Sequence, residues 1–258
     1  MPRIYLPSLP VKKNLLSITD EKARYLTVVL RCRRGDDLLV FDGEGNCFRT
    51  RILKIDRKEV TLEVFEKLSC HTESPLNITL VQGLLKSERM DFIIQKTTEL
   101  GIKEIIPLVT ERSQLRETRK FARWKKIAEE ASRQSGRTII PAIHEVLEFK
   151  NFFAQRQSRN DEMVKGEHGD ITGFIFWEEG GLSLKEVFLK NSLSPIRSFP
   201  DSPIHLFIGP EGGFTKKEVA LAKEKGIVVI SLGNRILRSE TAAISAVTLI
   251  QFLLGDLG

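Results

Sequence analysis

Hydrophobic positions change their period near residue 75, and the change divides the chain into two patterns. Before that point the apolar runs are short. Residues 38–41, 48–55 and 60–65 are separated by the turn Asp42-Gly43-Glu44-Gly45-Asn46 and by a polar break. Apolar and polar side chains alternate in 60–65, which predicts half-buried antiparallel strands. The polar stretch 69–75 ends in proline and reads as a linker.

Beyond the linker, uniformly apolar runs alternate with segments of helical period. Residues 78–85, 104–109, 174–177, 204–208 and 227–232 predict buried strands. Residues 88–100, 121–134, 216–225 and 240–254 predict helices, the first closed by Gly101 and the third by Gly226. Strands alternating with helices imply an α/β fold with a parallel sheet covered on both faces. The polar stretch 155–170 reads as a loop.

Composition narrows the classes. A chain of 258 residues is long enough for two cores, and 41% apolar with 29% charged residues is ordinary for a globular protein. No apolar run reaches the roughly 18 residues that would span a bilayer, and residues 1–10 lack the apolar centre of a secretion signal, so a cytoplasmic protein is expected. Cys32, Cys47 and Cys70 form no C-x-x-C pair, and His71, His144, His168 and His205 form no ligand pair, so neither a disulfide framework nor a metal site is expected. The net charge of +6 is concentrated: residues 1–34 hold eight basic against two acidic side chains, and 112–137 hold nine against three. Such segments suit a phosphate backbone, although two solvated faces without a partner fit the charge equally well.

Two segments carry candidate chemistry. Ile208-Gly209-Pro210-Glu211-Gly212-Gly213-Phe214-Thr215 joins a predicted strand to a predicted helix, and its glycines let backbone N–H groups approach a ligand. Thr215 and Glu218 have capping-box spacing. The second segment, 232–241, also opens a helix; Arg235 and Arg238 in it suit phosphate or a negatively charged base, while Arg238 with Glu240 also suits a structural ion pair. Loops that follow neighbouring strands of one parallel sheet should lie at the same edge, where a ligand is expected. Neither loop has dinucleotide or Walker A spacing, and no G-x-S-x-G elbow is present.

The sequences IGPEGGFT and LGNRILRSETAA resemble the signature loops of the SPOUT methyltransferases that form 3-methyluridine in 16S ribosomal RNA, the RsmE type. Val29-Leu30-Arg31-Cys32-Arg33-Arg34-Gly35-Asp36, Gln95-Lys96-Thr97-Thr98-Glu99-Leu100-Gly101, Glu111-Arg112-Ser113 and Gln134-Ser135-Gly136-Arg137 resemble the same family, in the same order. The resemblance implies a small PUA-like β-barrel domain over 1–72 that binds RNA. It also implies a methyltransferase domain over 73–258 with a trefoil knot, a homodimer, and S-adenosylmethionine as cofactor. Its cofactor loops would be 176–179, 207–212 and 232–238, with Phe176, Phe207, Ile208, Gly209, Pro210, Gly212, Leu232, Gly233, Ile236, Leu237 and Arg238 in contact, largely through backbone groups.

Methylation at uridine N3 needs a proton removed or the developing anion stabilised. Arg238 is the candidate cation, and Glu211 or Glu240 the candidate proton acceptor, although either glutamate also suits a helix N-terminus. Arg3, Lys12, Arg24, Arg31, Arg33 and Arg34 in one basic segment, and Arg112, Arg116 and Arg137 in the other, are the candidate contacts to 16S ribosomal RNA, expected within the small ribosomal subunit. Two other outcomes fit the same residues: an enzyme of this fold acting on a ribose 2′-hydroxyl, and a non-catalytic RNA-binding assembly factor.

Overall fold

The alternating pattern of the first 75 residues becomes an antiparallel meander with added edges in the computed structural model of the chain, which describes residues 1–7, 14–86, 88–154, 172–189 and 203–258. The chain forms two compact units: Met1–Glu73 with Glu129–Ile140, and Ser74–Ala128 with Pro141–Gly258.

The first unit contains β1 (Arg3–Tyr5), β2 (Leu15–Thr19), α1 (Asp20–Arg24), a π-helical turn Tyr25–Val29, β3 (Asp37–Phe41), β4 (Cys47–Ile55) and β5 (Glu59–Leu68). Its strand order is β1-β3-β4-β5-β2, with β1 parallel to β3 and the remaining pairs antiparallel. The sheet is a half-barrel whose edges, among the described residues, are β1 and β2. Leu16, Ile18, Leu38, Val40, Ile52, Val60 and Leu62, the inward set of strands that alternate, pack as its core with Leu26 of the π-helical turn.

The segment 129–140, which the linear reading assigns to the second domain, belongs to this first unit. Glu73 holds it. Its carboxylate accepts from Arg137 Nε and Nη2 at 3.1 and 2.8 Å and from the N–H groups of Thr138 and Ile139 at 2.8 and 3.0 Å. Burial pushes this carboxyl up, but the guanidinium and the two N–H donors outweigh it, so Glu73 titrates below the usual carboxylate range.

The second unit begins with β6 (Ile78–Gly83), α2 (Arg89–Glu99), β7 (Glu104–Val109) and the start of α3 (Phe121–Ser135). It continues with β8 (Ala142–Ile143), β9 (Leu147–Glu148), α4 (149–154), β10 (Gly173–Phe176), β11 (Leu182–Ser183) and α5 (Leu184–Leu189). β12 (Ile204–Ile208), α6 (Lys216–Glu224), β13 (Val228–Ser231) and α7 (Ser239–Leu254) complete it. The strand order is β11-β13-β10-β12-β6-β7-β8, with β9 also on β7, and every pair is parallel. All residues of β6, β10 and β12 are buried, as strands covered on both faces require. Phe149, Phe152 and Phe153 of α4 pack with Phe207 and Phe214 in one core cluster, and Ala243, Ala246, Val247 and Ile250 are the buried side of α7.

Among the described residues no helix is long and apolar enough to cross a membrane. The expected loop 155–170 lies outside the described residues.

Candidate active site

The register of the parallel sheet sets Phe176 beside Ile208 and Ile230, and Ile208 beside Gln82. The chain therefore leaves β10, β12, β13 and β6 at nearly one level, and the two glycine-bearing loops emerge from that edge together. Between them lies a cavity of about 340 Å³, within the size range of ligand sites.

Phe176, Ile208, Gly209, Pro210, Glu211, Leu232, Gly233, Ile236, Leu237 and Arg238 line the cavity, as their sequence positions suggested. Three other candidates do not. Phe207 points to the opposite face from Ile208, as successive strand residues must, and its ring stacks on Phe153 in the core. Gly212 faces Arg112, whose Nη1 donates to the Gly212 carbonyl at 2.9 Å. Glu240 lies in the first turn of α7 off the cavity wall, with a buried Oε2 that accepts no hydrogen bond among the described residues.

Backbone proximity explains how the loops keep their shape. Gly83, the last residue of β6, abuts Gly209 and Pro210 so closely that a Cβ there would collide with the Pro210 nitrogen. Ser239 Oγ donates to the Gly209 carbonyl at 2.5 Å, and Gln82 Nε2 donates to Ser239 Oγ at 3.0 Å. The start of α7 is thereby tied to the loop after β12. Gly213 takes φ +68°, a conformation that costs an L side chain, and a Cβ there would strike the Glu178 carboxylate. Trp177 Nε1 reaches the Phe214 carbonyl at 3.3 Å, which closes the loop after β10 over the same turn.

The cavity lining carries charges of both signs: Arg89, Arg235 and Arg238 with Glu178 and Glu211. Glu211 Oε1 accepts from the Lys86 N–H at 3.3 Å and from Arg89 Nη1 at 3.4 Å. No ion pair joins Arg238 to Glu240. Arg89 carried no signal in the sequence, because it lies about 120 positions from the loops it meets. Ser239 and Ala242 were equally invisible as lining residues, although small side chains at a helix start are the type a close ligand needs.

The basic candidates separate by environment. Arg24, Arg31, Arg33 and Arg34 are exposed in the first unit, and Arg116 is exposed in the second. Arg3 donates through Nη2 to the Arg137 carbonyl at 2.8 Å and stacks over Phe41, and Arg112 is partly engaged by the Gly212 carbonyl. Arg137 is corrected: its side chain is 2% exposed and paired with Glu73, so it is structural. Lys12 lies outside the described residues.

The chain matches the RNA methyltransferase domain family over residues 72–251 and the RNA methyltransferase PUA domain family over 18–65. It is 34% identical to ribosomal RNA small subunit methyltransferase E of Buchnera aphidicola subsp. Acyrthosiphon pisum, over 99% of this chain and 95% of that protein. The chain belongs to the ribosomal RNA small subunit methyltransferase E family. Its Bacillus subtilis member is 31% identical over 92% of this chain and 89% of its own length. The crystal structure of a ribosomal RNA small subunit methyltransferase E from Neisseria gonorrhoeae, bound to S-adenosyl methionine, matches with a TM-score of 0.83 at 33% identity and covers 100% of both chains. In this methyltransferase E chain every cavity-lining residue falls inside the span matched by the methyltransferase domain, and β3, β4 and most of β5 fall inside the PUA match.

Proposed function

We propose that this chain transfers a methyl group from S-adenosylmethionine to N3 of a uridine in 16S ribosomal RNA. The observation that carries this reading is the cavity at the sheet edge, built by the two glycine-bearing loops of a methyltransferase E chain. Its walls fit the donor: close backbone at Gly209 and Gly233, apolar side chains Phe176, Ile208, Leu237 and Ala242, and carboxylates for a cationic ligand. When bound, S-adenosylmethionine supplies an electrophilic methyl group on a sulfonium.

The chain's own groups do the rest. Glu211 is the candidate proton acceptor for N3–H because it lines the cavity, whereas Glu240 does not. Arg238 is the candidate cation for the developing uracil anion: it lines the cavity and, among the described residues, pairs with no carboxylate. The exposed arginines Arg24, Arg31, Arg33 and Arg34 would hold the RNA backbone and set its orientation.

The same proposal includes a cytoplasmic homodimer acting on the small ribosomal subunit, with the loops of the second unit passing through one another as a trefoil knot. Exposed apolar side chains on α7, Leu249, Phe252 and Leu253, support the dimer, since such a patch on a monomer contacts water at a cost. Light scattering on the purified chain would give twice the monomer mass; a monomer mass would reject that part.

Incubating the protein with methyl-labelled S-adenosylmethionine and small-subunit particles, then digesting the RNA to nucleosides, tests the main reading. Label in 3-methyluridine is the expected result. Label in a 2′-O-methylated nucleoside, or none with intact cofactor binding, would replace it.

A further inference from the structure

Of the three arginines that line the cavity, Arg235 and Arg238 stand on the loop after β13, and Arg89 alone comes from a different part of the chain, the first turn of α2. Its position does little for stability. A cation at a helix N-terminus opposes the macrodipole, and α2 has no side-chain cap to offset this. Among the described residues its one ion-pair partner is Glu211, through a single contact of 3.4 Å, well beyond the 2.7–2.9 Å of a charge-assisted hydrogen bond. The Arg89 side chain is 45% exposed and lines the cavity, and its contact with Glu211 uses one of the five N–H donors a guanidinium carries.

We infer that Arg89 binds an anionic oxygen of the RNA substrate, exchanging its loose contact with Glu211 for that oxygen when substrate enters. The inference rests on reading the cavity as the site of methyl transfer to RNA. A guanidinium fork suits either a phosphate flanking the target nucleotide or a carbonyl oxygen of the uracil anion, and both present the same chemistry to it. The exchange also frees Glu211 at the moment a proton acceptor is needed: the carboxylate gives up one donor, and the Lys86 N–H keeps it oriented.

The test compares wild type with Arg89→Ala and Arg89→Lys in three measurements on the full chain: S-adenosylmethionine binding by calorimetry, affinity for a 16S RNA fragment by fluorescence anisotropy across a salt series, and steady-state methylation. The expected result for Arg89→Ala is unchanged cofactor affinity with RNA affinity or kcat reduced about tenfold or more, and for Arg89→Lys an intermediate value. If the oxygen belongs to a phosphate, RNA affinity falls and the slope of log affinity against log salt shrinks by about 0.7 for a single strand. If it belongs to the base, the slope holds and kcat falls. Wild-type RNA affinity, salt slope and kcat in Arg89→Ala would overturn the inference. Should Arg89→Ala lose cofactor binding through misfolding, Arg89→Lys decides, because it keeps the charge and loses only the fork: full wild-type values there would also overturn it. RNA binding is read independently of methylation, so a chain that methylates nothing would refute the proposed function while the Arg89 measurement still stands on its own.

Discussion

Arg238 ends the loop after β13 with an extended backbone, and the helix that follows begins one residue later. Its side chain therefore leaves the chain at the lip of the cavity rather than along a helix face. On the proposed reading, replacing it with alanine removes charge near the target base without touching the backbone that frames the cavity. Methyl transfer should fall by about 10²–10³-fold, the scale seen when one preorganised donor is deleted, while S-adenosylmethionine affinity changes by less than about threefold. Single-turnover methylation and calorimetry separate the two, and a parallel loss in both would assign Arg238 to cofactor binding instead. The two glutamates should separate as well: Glu211→Gln should lower transfer about 10²-fold or more, and Glu240→Gln should leave it near wild type. Equal losses would remove the cavity as the criterion for the proton acceptor. Charge was readable from the sequence at all these positions, but burial was not. Arg137 shows why: its neutralising partner Glu73 lies 64 positions away, and no local pattern reports a contact at that range.

Helices long enough to repeat their period were legible, and in α6 a side-chain cap fixed the start. Thr215 Oγ1 accepts from the Glu218 N–H at 3.3 Å while Glu218 Oε2 accepts from the Thr215 N–H at 2.8 Å, the reciprocal pair its spacing predicted. The structure adds a bond beyond the cap. Glu218 Oε1 accepts from the Glu111 N–H at 2.9 Å and so attaches the loop after β7 to α6. Thr215→Ala should then cost about 1 kcal/mol, an ordinary cap, and Glu218→Ala more, because it also leaves the Glu111 N–H without its partner. Urea unfolding curves would check the order; equal losses would mean that the Glu111 bond contributes nothing. Elements shorter than one period were not legible. β8, β9 and β11 have two residues each, and β1 has three, so none of them can display an alternation. The residues 84–85 mark another limit: both leucines are buried like strand residues, yet β6 ends at Gly83, where the backbone of Gly209 and Pro210 closes against it.

Across the whole molecule, the division into units was only half visible, because each of them is built from two separate stretches of chain. The composition change near residue 75 marks where the first stretch ends. It gives no sign that 129–140 returns, since that return depends on contacts between distant positions: the half-buried Glu73 carboxylate with its four donors, Thr72 Oγ1 on the Gly136 carbonyl at 3.0 Å, and the Ile140 N–H on the Gly43 carbonyl at 3.0 Å. This makes Glu73 the point where acid should act on the first unit. Its folded pKa lies below the unfolded value, so the pair stabilises the unit fully above the ordinary Glu range, near 4.3, and the contribution is lost as pH falls through the lower folded value. Removing the carboxylate also leaves the 2% exposed Arg137 guanidinium without its counter-charge, a loss on the order of 3 kcal/mol. Glu73→Gln should accordingly melt lower than wild type at pH 7, and the gap should narrow as pH falls through the acid range, because the wild-type carboxylate becomes neutral there too. Calorimetric scans from pH 7 down to about pH 3 would show the two curves converging. A gap that stays constant with pH would mean that the hydrogen-bond geometry, and not the charge on Glu73, holds the returning segment in place.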